Sequence, residues 1–170
     1  MKKIFFTLLT LTVVGMVLLY IFADRAEEQT IGIGQPIHHD DFEYSVQKVE
    51  NVQQIGADSA QKGHHFLVVL FRVQNDAKRV SHEWDSQIAF VTDGTELMVE
   101  NNPTLRKSWC QHHGTTCPER FDTPAGVTES TTLVYEVPNT LTQPYLMVKG
   151  ATLMGDFFDG GQFQKTKIKL

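Results

Sequence analysis

The sequence predicts an all-β protein, an antiparallel β-sandwich preceded by one N-terminal transmembrane helix. Three observations lead there. The chain opens on an uncharged, mostly apolar run from Ile4 to Ala23. Beyond it, short runs of alternating apolar and polar residues recur between turn-forming residues. No stretch after Ala23 sustains a helical period for ten or more residues, so strands are left to bury the apolar positions.

At about 1.5 Å per residue, the 4–23 run covers the roughly 30 Å hydrocarbon core of a bilayer. Lys2 and Lys3 precede it, and Asp24, Arg25, Glu27 and Glu28 end it. Residues 1–3 are therefore expected in the cytoplasm, with everything after Ala23 periplasmic or extracellular. A cleaved signal peptide is the alternative. Its apolar region is shorter, about 7 to 15 residues, and ends in a small-x-small site, of which Ile21-Phe22-Ala23 is a poor version. No cysteine follows the run to carry a lipid. Residues 24–30 read as a linker and 31–170 as one extracytoplasmic domain, a length that suits a single core.

Within FEYSVQKVENV, Phe42, Tyr44 and Val46 alternate with polar residues, and Val49 and Val52 then fall out of phase, as in a strand with a bulge. HHFLVVLFRVQN is the most apolar segment after the anchor. It reads as a central strand with Leu67, Val69, Phe71 and Val73 facing the core. Asp93-Gly94 lies between two alternating runs in IAFVTDGTELMVE and predicts a hairpin with a tight turn. TTLVYEVP places Leu133, Tyr135 and Val137 on one face, and Pro138 closes it. YLMVKG follows, and in the final strand Lys165, Lys167 and Lys169 alternate with Thr166, Ile168 and Leu170. Between these two, LMGDFFDGGQF carries Phe157 and Phe158, which either fill the sandwich or form an apolar patch for a protein partner. Trp84 and Trp109 read first as core residues.

Gly34-Gln35-Pro36 leading a strand, then GHHFLVVLFRVQND, AFVTDGTEL and TPAGVTESTTLVYEVP, occur in an order that resembles the immunoglobulin-like domain of unknown function 4352 family. That family is found on bacterial lipoproteins and membrane-anchored surface proteins. The likeness covers most of Ile31 to Leu170 and is one of strands and turns. It implies an immunoglobulin-like sandwich in an extracytoplasmic setting, and no activity. The chain departs from the family in lacking a lipid-attachment cysteine and in carrying the insert WCQHHGTTCPERF.

The net charge is -5 and the Lys and Arg residues are scattered, which excludes a general nucleic-acid binder. Cys110 and Cys117 are the only cysteines. Outside the cytoplasm disulfides form and persist, so the pair is expected to staple a local loop. Such a staple contributes about 2 to 3 kcal/mol on the chain-entropy account. A soft-metal site of Cys110, Cys117 and His112 or His113 is one alternative, although zinc-binding cysteines are more usually about two to four residues apart. A redox pair is another, without the tight C-x-x-C spacing that tunes a thiol.

Six histidines form three adjacent pairs, His38-His39, His64-His65 and His112-His113. Neighbours in a strand point to opposite faces, so each extended pair offers one ligand: His65 shares the parity of Leu67, and His64 faces the other way. A copper or zinc site requires the pairs to converge; otherwise they are surface histidines at strand edges, able to respond to pH near about 6. Enzyme signatures fail. Ser45 and Lys48 fit the letters of S-x-x-K but are expected on opposite faces of a strand. Gly32-Ile33-Gly34 lacks the third glycine and the helix of a dinucleotide loop. Ser81, His82, Asp85 and Ser86 are close in sequence with nothing to orient a triad.

The expectation is thus a non-catalytic binding or scaffolding module without a cofactor, serving an envelope protein or ligand and held at the bacterial inner membrane through residues 4–23. Trp109, His112, His113, Phe157 and Phe158 are its candidate partner-binding residues. Metal binding through the paired histidines is the second reading, and an extracytoplasmic enzyme of unrecognised type the third.

Overall fold

A computed structural model describes residues 27–149 and 165–170, together with Thr12 and Gly15. The expected anchor at 4–23, apart from those two positions, and the Phe157/Phe158 segment lie outside the described residues. The elements run β1 (Gln29–Ile31), β2 (Ile37–His39), β3 (Phe42–Val52), β4 (Gln54–Ile55), β5 (Asp58–Ser59), β6 (His64–Asn75), β7 (His82–Asp85), β8 (Ala89–Thr92), β9 (Met98–Glu100), α1 (Pro103–His112), β10 (Arg120–Thr123), β11 (Thr128–Pro138), β12 (Tyr145–Val148) and β13 (Thr166–Lys169).

Two sheets face each other as a β-sandwich. One is ordered β11-β6-β3-β2 and the other β1-β13-β12-β8-β9. Pairing is antiparallel except between β1 and β13. Their inner faces share one core: Tyr44, Val46, Leu67, Val69, Phe71, Val73, Leu133, Tyr135 and Val137 from the first sheet meet Ala89, Val91, Leu146, Val148 and Ile168 from the second. The alternation read from the sequence is therefore the core face of β3, β6 and β11. The phase break in β3 is a bulge, where the register with β6 shifts between Val46 and Lys48.

β6 is apolar on both sides because a second core lies on its outer face. Phe66 and Val68 pack there with Ile55, Val134 and Leu105, and Val52, Ala60 and Trp109 close the edges. Leu105 and Trp109 belong to α1, the element the sequence reading excluded. Asn102 starts this helix: its side chain accepts the N–H groups of Thr104 and Leu105, at 3.1 Å each. Pro103 fits the first turn, where an N–H would go unused in any case. The helical period was hidden because the buried face comprises Leu105, Arg106 and Cys110, so an arginine occupies a core position.

Two smaller corrections concern the ends of elements. The sheet begins at Gln29, inside the expected linker, because β1 pairs with β13 from Gln29 opposite Thr166. The Asp93-Gly94 hairpin is present but is no tight turn, since pairing resumes only at Thr92 opposite Met98. Asp93 Oδ1 organises the wider loop by accepting from the N–H groups of Thr95 (2.8 Å) and Leu97 (3.3 Å).

The strand directions set where the chain enters. Leu170, just past β13, lines one groove with His65, Leu67 and Leu141, so β13 runs toward the end where β6 begins. β1 is parallel to β13. The preceding residues therefore approach from the other end, where β6 finishes at Asn75. Asn75 is fully buried and gathers that end: its Nδ2 donates to the carbonyls of Val80 (2.8 Å) and Thr123 (2.9 Å), and its Oδ1 accepts the Ala77 N–H (2.9 Å).

Candidate interaction site

A wider insert, from Asn101 to Pro118 and taking in most of WCQHHGTTCPERF, lies against the edge of the four-stranded sheet. β11 is an edge strand, and the outward N–H and C=O groups of such a strand invite pairing with another chain. Here the Asn102 N–H donates to Val134 O (2.8 Å), and the Val134 N–H donates to Asn101 Oδ1 (2.8 Å). Two turn-forming residues thus stand in for a neighbouring strand.

Arg106 extends this cover. Only 1% of the residue is exposed. Its Nε donates to Thr132 O (2.7 Å) on the same strand edge, and one Nη donates to Thr131 Oγ1 (2.6 Å) and Pro118 O (2.8 Å). The other Nη donates to Cys117 O (3.1 Å). All these acceptors are neutral oxygens. Burial draws the guanidinium pKa down and the nearby Glu119 opposes this; an arginine nevertheless keeps its charge in a protein. One side chain therefore ties helix, strand edge and the returning 117–118 backbone together.

Cys110, one helical turn beyond Arg106, is joined to Cys117 by a disulfide across a Cα separation of 6.1 Å. The staple expected from the cysteine spacing is formed, and it fixes the carbonyls that Arg106 uses. Between the cysteines the helix ends at His112; the His113 N–H reaches Trp109 O (3.1 Å) and the Gly114 N–H reaches Gln111 O (3.3 Å). The His113 ring stacks on Trp109 at 4.0 Å between centroids, and His112 meets His113 edge-on at 5.4 Å. Gln111, His112, His113, Gly114, Thr115 and Thr116 are exposed. Of the candidate partner residues, His112 and His113 thus lie on an accessible, braced surface. Trp109 is half-buried, packing on the second core and beneath His113.

The histidine pairs do not converge. His39 lies opposite Phe42, which lies opposite Asn75, so His38 and His39 sit where β6 ends. His64 and His65 sit where β6 begins, roughly 36 Å away at about 3.3 Å per strand residue. His112 ends the helix on the outer face and His113 follows it as its cap. Each pair also has local company: His38 faces Glu43 at 3.2 Å, and His65 Nδ1 meets Asn139 Oδ1 at 2.8 Å. Among the described residues no group of three His, Cys, Asp or Glu side chains could hold a metal ion. The composite copper or zinc site through His38, His39, His64, His65, His112 and His113 is corrected by register, which places the first two pairs at opposite ends of one strand.

Register also overturns the expected opposite facing of Ser45 and Lys48. The extra residue of the β3 bulge brings Ser45, opposite Arg72, and Lys48, opposite Leu70, to the same outer face. Each has its own partner there: Ser45 Oγ accepts from Gln47 Nε2 (2.8 Å), and Lys48 Nζ pairs with Glu50 (2.7 Å). A polar contact that the sequence did not indicate lies at the Asn75 end. The Tyr44 hydroxyl meets His82 Nε2 at 2.8 Å, and the His82 ring stacks on Phe42 at 4.0 Å. Burial, and next the neighbouring His39, lower the His82 pKa, while burial raises that of Tyr44.

No family model matches the chain, and no curated protein matches it. Solved structures do. A conserved hypothetical protein from Bacillus anthracis superposes with a TM-score of 0.57 at 16% identity, over 69% of this chain and 88% of that one. The yjhA protein from Bacillus subtilis gives 0.54 at 13% identity, over 82% of this chain and 98% of that one. A candidate lipoprotein of Bacillus subtilis, ycdA, gives 0.51 at 13% identity, over 69% of this chain but only 34% of the other. What this chain shares with them is the fold.

Proposed function

We propose that the chain is a membrane-anchored, extracytoplasmic, immunoglobulin-like module that binds an envelope protein or ligand without catalysis, held at the bacterial inner membrane through residues 4–23. The clasped insert carries this reading. A disulfide is the staple of an oxidising compartment, and here it combines with buried Arg106 to brace the exposed 111–116 surface. A braced surface loses little conformational entropy when it meets a partner. The resemblance to the family of domains of unknown function 4352 supports the immunoglobulin-like assignment and the setting, and the fold shared with a candidate lipoprotein is consistent with both. The described chain enters the sandwich through β1 from the Asn75 end, which is consistent with a membrane attachment on that side.

The test places a photo-crosslinking residue at His112 or at Thr116 in the full chain, expressed in bacterial membranes, with Met98 on the opposite sheet as control. A shared adduct at the first two positions, absent at the third, is expected. No adduct at either, with the disulfide intact, refutes the surface. Membrane association of the full chain, resistant to alkaline extraction, checks the anchor. A mature amino terminus beginning after Ala23 replaces the anchor with a cleaved leader.

A further inference from the structure

We propose that the Cys110–Cys117 disulfide is a redox-sensitive clasp that keeps the edge of β11 covered, and that its reduction uncovers this edge while the sandwich stays folded. This goes beyond the binding role and does not depend on it. Three links join the disulfide to the strand. The bond ties Cys117 to the helix at Cys110. Cys117 O and Pro118 O are acceptors for the Arg106 guanidinium. The same guanidinium holds Thr132 O, and Asn101 and Asn102 of the same insert hold the N–H and C=O of Val134.

Without the covalent link, the returning segment keeps only its hydrogen bonds, Thr115 N–H to Cys110 O (2.9 Å) before Cys117 and Ser86 N–H to Glu119 O (2.9 Å) after Pro118. The 116–118 stretch between them is no longer held covalently against Arg106. A buried guanidinium that has lost two acceptor carbonyls is then driven toward water, because an under-bonded charge inside a protein is strongly unfavourable. Its departure releases Thr132 O and loosens the first helical turn, which follows directly from Asn101 and Asn102. The sandwich itself does not need the insert: Leu133, Tyr135 and Val137 are held by the main core, and β11 pairs with β6 along its whole length.

Cys110 is buried and Cys117 is half-buried, so attack is assigned to the Cys117 side of the bond. A dithiol supplies the two electrons. Its thiolate attacks Cys117 Sγ and forms a mixed disulfide, and Cys110 leaves as a thiolate and takes a proton. The second thiol of the reductant, as its thiolate, then displaces Cys117, which is protonated in turn, and the reductant is left as its own disulfide.

Amide exchange in the full chain in detergent micelles tests this, residue by residue, before and after reduction by excess dithiothreitol, with both thiols counted. Antiparallel geometry alternates the direction of N–H groups along β11. The Val134 N–H points out to Asn101, whereas those of Leu133 and Tyr135 point into the ladder with β6. Reduction is expected to accelerate Val134 exchange at least tenfold more than that of Leu133 and Tyr135, which follow the fall in global stability alone. The double variant Cys110→Ser/Cys117→Ser is expected to match the reduced protein and ignore the reductant. A smaller difference with both thiols free overturns the proposal, because equal acceleration of Val134, Leu133 and Tyr135 reports general unfolding and not an uncovered edge. Retained Val134 protection in the double variant also overturns it.

Discussion

Replacing Arg106 with methionine keeps an unbranched flexible stem, two atoms shorter, and removes all its donors. The residue is 1% exposed and donates to four acceptors: Thr132 O, Thr131 Oγ1, Cys117 O and Pro118 O. Two of these can recover. Pro118 is exposed and Cys117 half-buried, so their carbonyls can turn to water. Thr131 is buried, and Thr132 O lies on the strand edge that Arg106 covers, so both lose a partner that water replaces poorly. A buried polar group left unmet costs about 1 to 3 kcal/mol, and part of this is offset because a cation no longer has to be desolvated. The expected net loss for Arg106→Met is about 2 to 4 kcal/mol, or a fall in melting temperature of roughly 6 to 12 °C for a domain of this size. Urea unfolding followed by tryptophan fluorescence measures it, with the disulfide confirmed intact. A variant within about 0.5 kcal/mol of the parent refutes the reasoning, because ordinary surface substitutions fall in that range.

Three further outcomes are expected. Cys110→Ser/Cys117→Ser should lower stability by about 2 to 3 kcal/mol, the closure entropy of so short a loop, and combining it with Arg106→Met should cost less than the sum because the two share carbonyls. Asn75→Asp should be strongly destabilising, by about 3 kcal/mol or more in chemical denaturation, because an acceptor then faces the carbonyls of Val80 and Thr123 at a fully buried position. The third outcome concerns pH. The His82 pKa is lowered in the folded protein, so as pH falls the unfolded chain takes up the proton first. Its contribution is full above about pH 6.5 and is lost below that value. Melting curves between about pH 7.5 and 5 should show this decline, and His82→Gln should flatten it; an unchanged slope in the variant assigns the decline to other groups.

What could be read from the sequence was whatever has a short period. Leu67, Val69, Phe71 and Val73 alternate over adjacent positions, as do Leu133, Tyr135 and Val137, and all are buried in the main core. The bulge in β3 showed as a phase break for the same reason. The second core was not visible, because Phe66 and Val68 fill in the polar half of the alternation and a strand buried on both faces has no period. Convergence of the histidine pairs depended on which strand ends lie together, a long-range property of register that adjacent letters do not encode. A single inserted residue, Gln47, reverses the relative facing of Ser45 and Lys48, and a phase break in the letters does not say which residue is the extra one.

The candidate site was half legible, and the missing half explains the rest. Cysteine spacing and compartment gave the staple, but not what it holds. The groups to be covered are backbone atoms: the Thr132 carbonyl on an exposed strand edge and the Cys117 and Pro118 carbonyls of the returning chain. No substitution removes a carbonyl, so an edge of this kind is quieted only by a donor. A hydrophobic residue at position 106 would pack there and leave the oxygens unmet, and a lysine would bring three donors on one nitrogen, too compact to span them. Arginine has five N–H groups in a plane and no acceptor of its own. Its charge matters less in this place than its shape, which is why it is buried among neutral oxygens without a bonded carboxylate. That is also why pattern reading fails at this position: it counts arginine as a surface residue, while this one serves as the core of the insert.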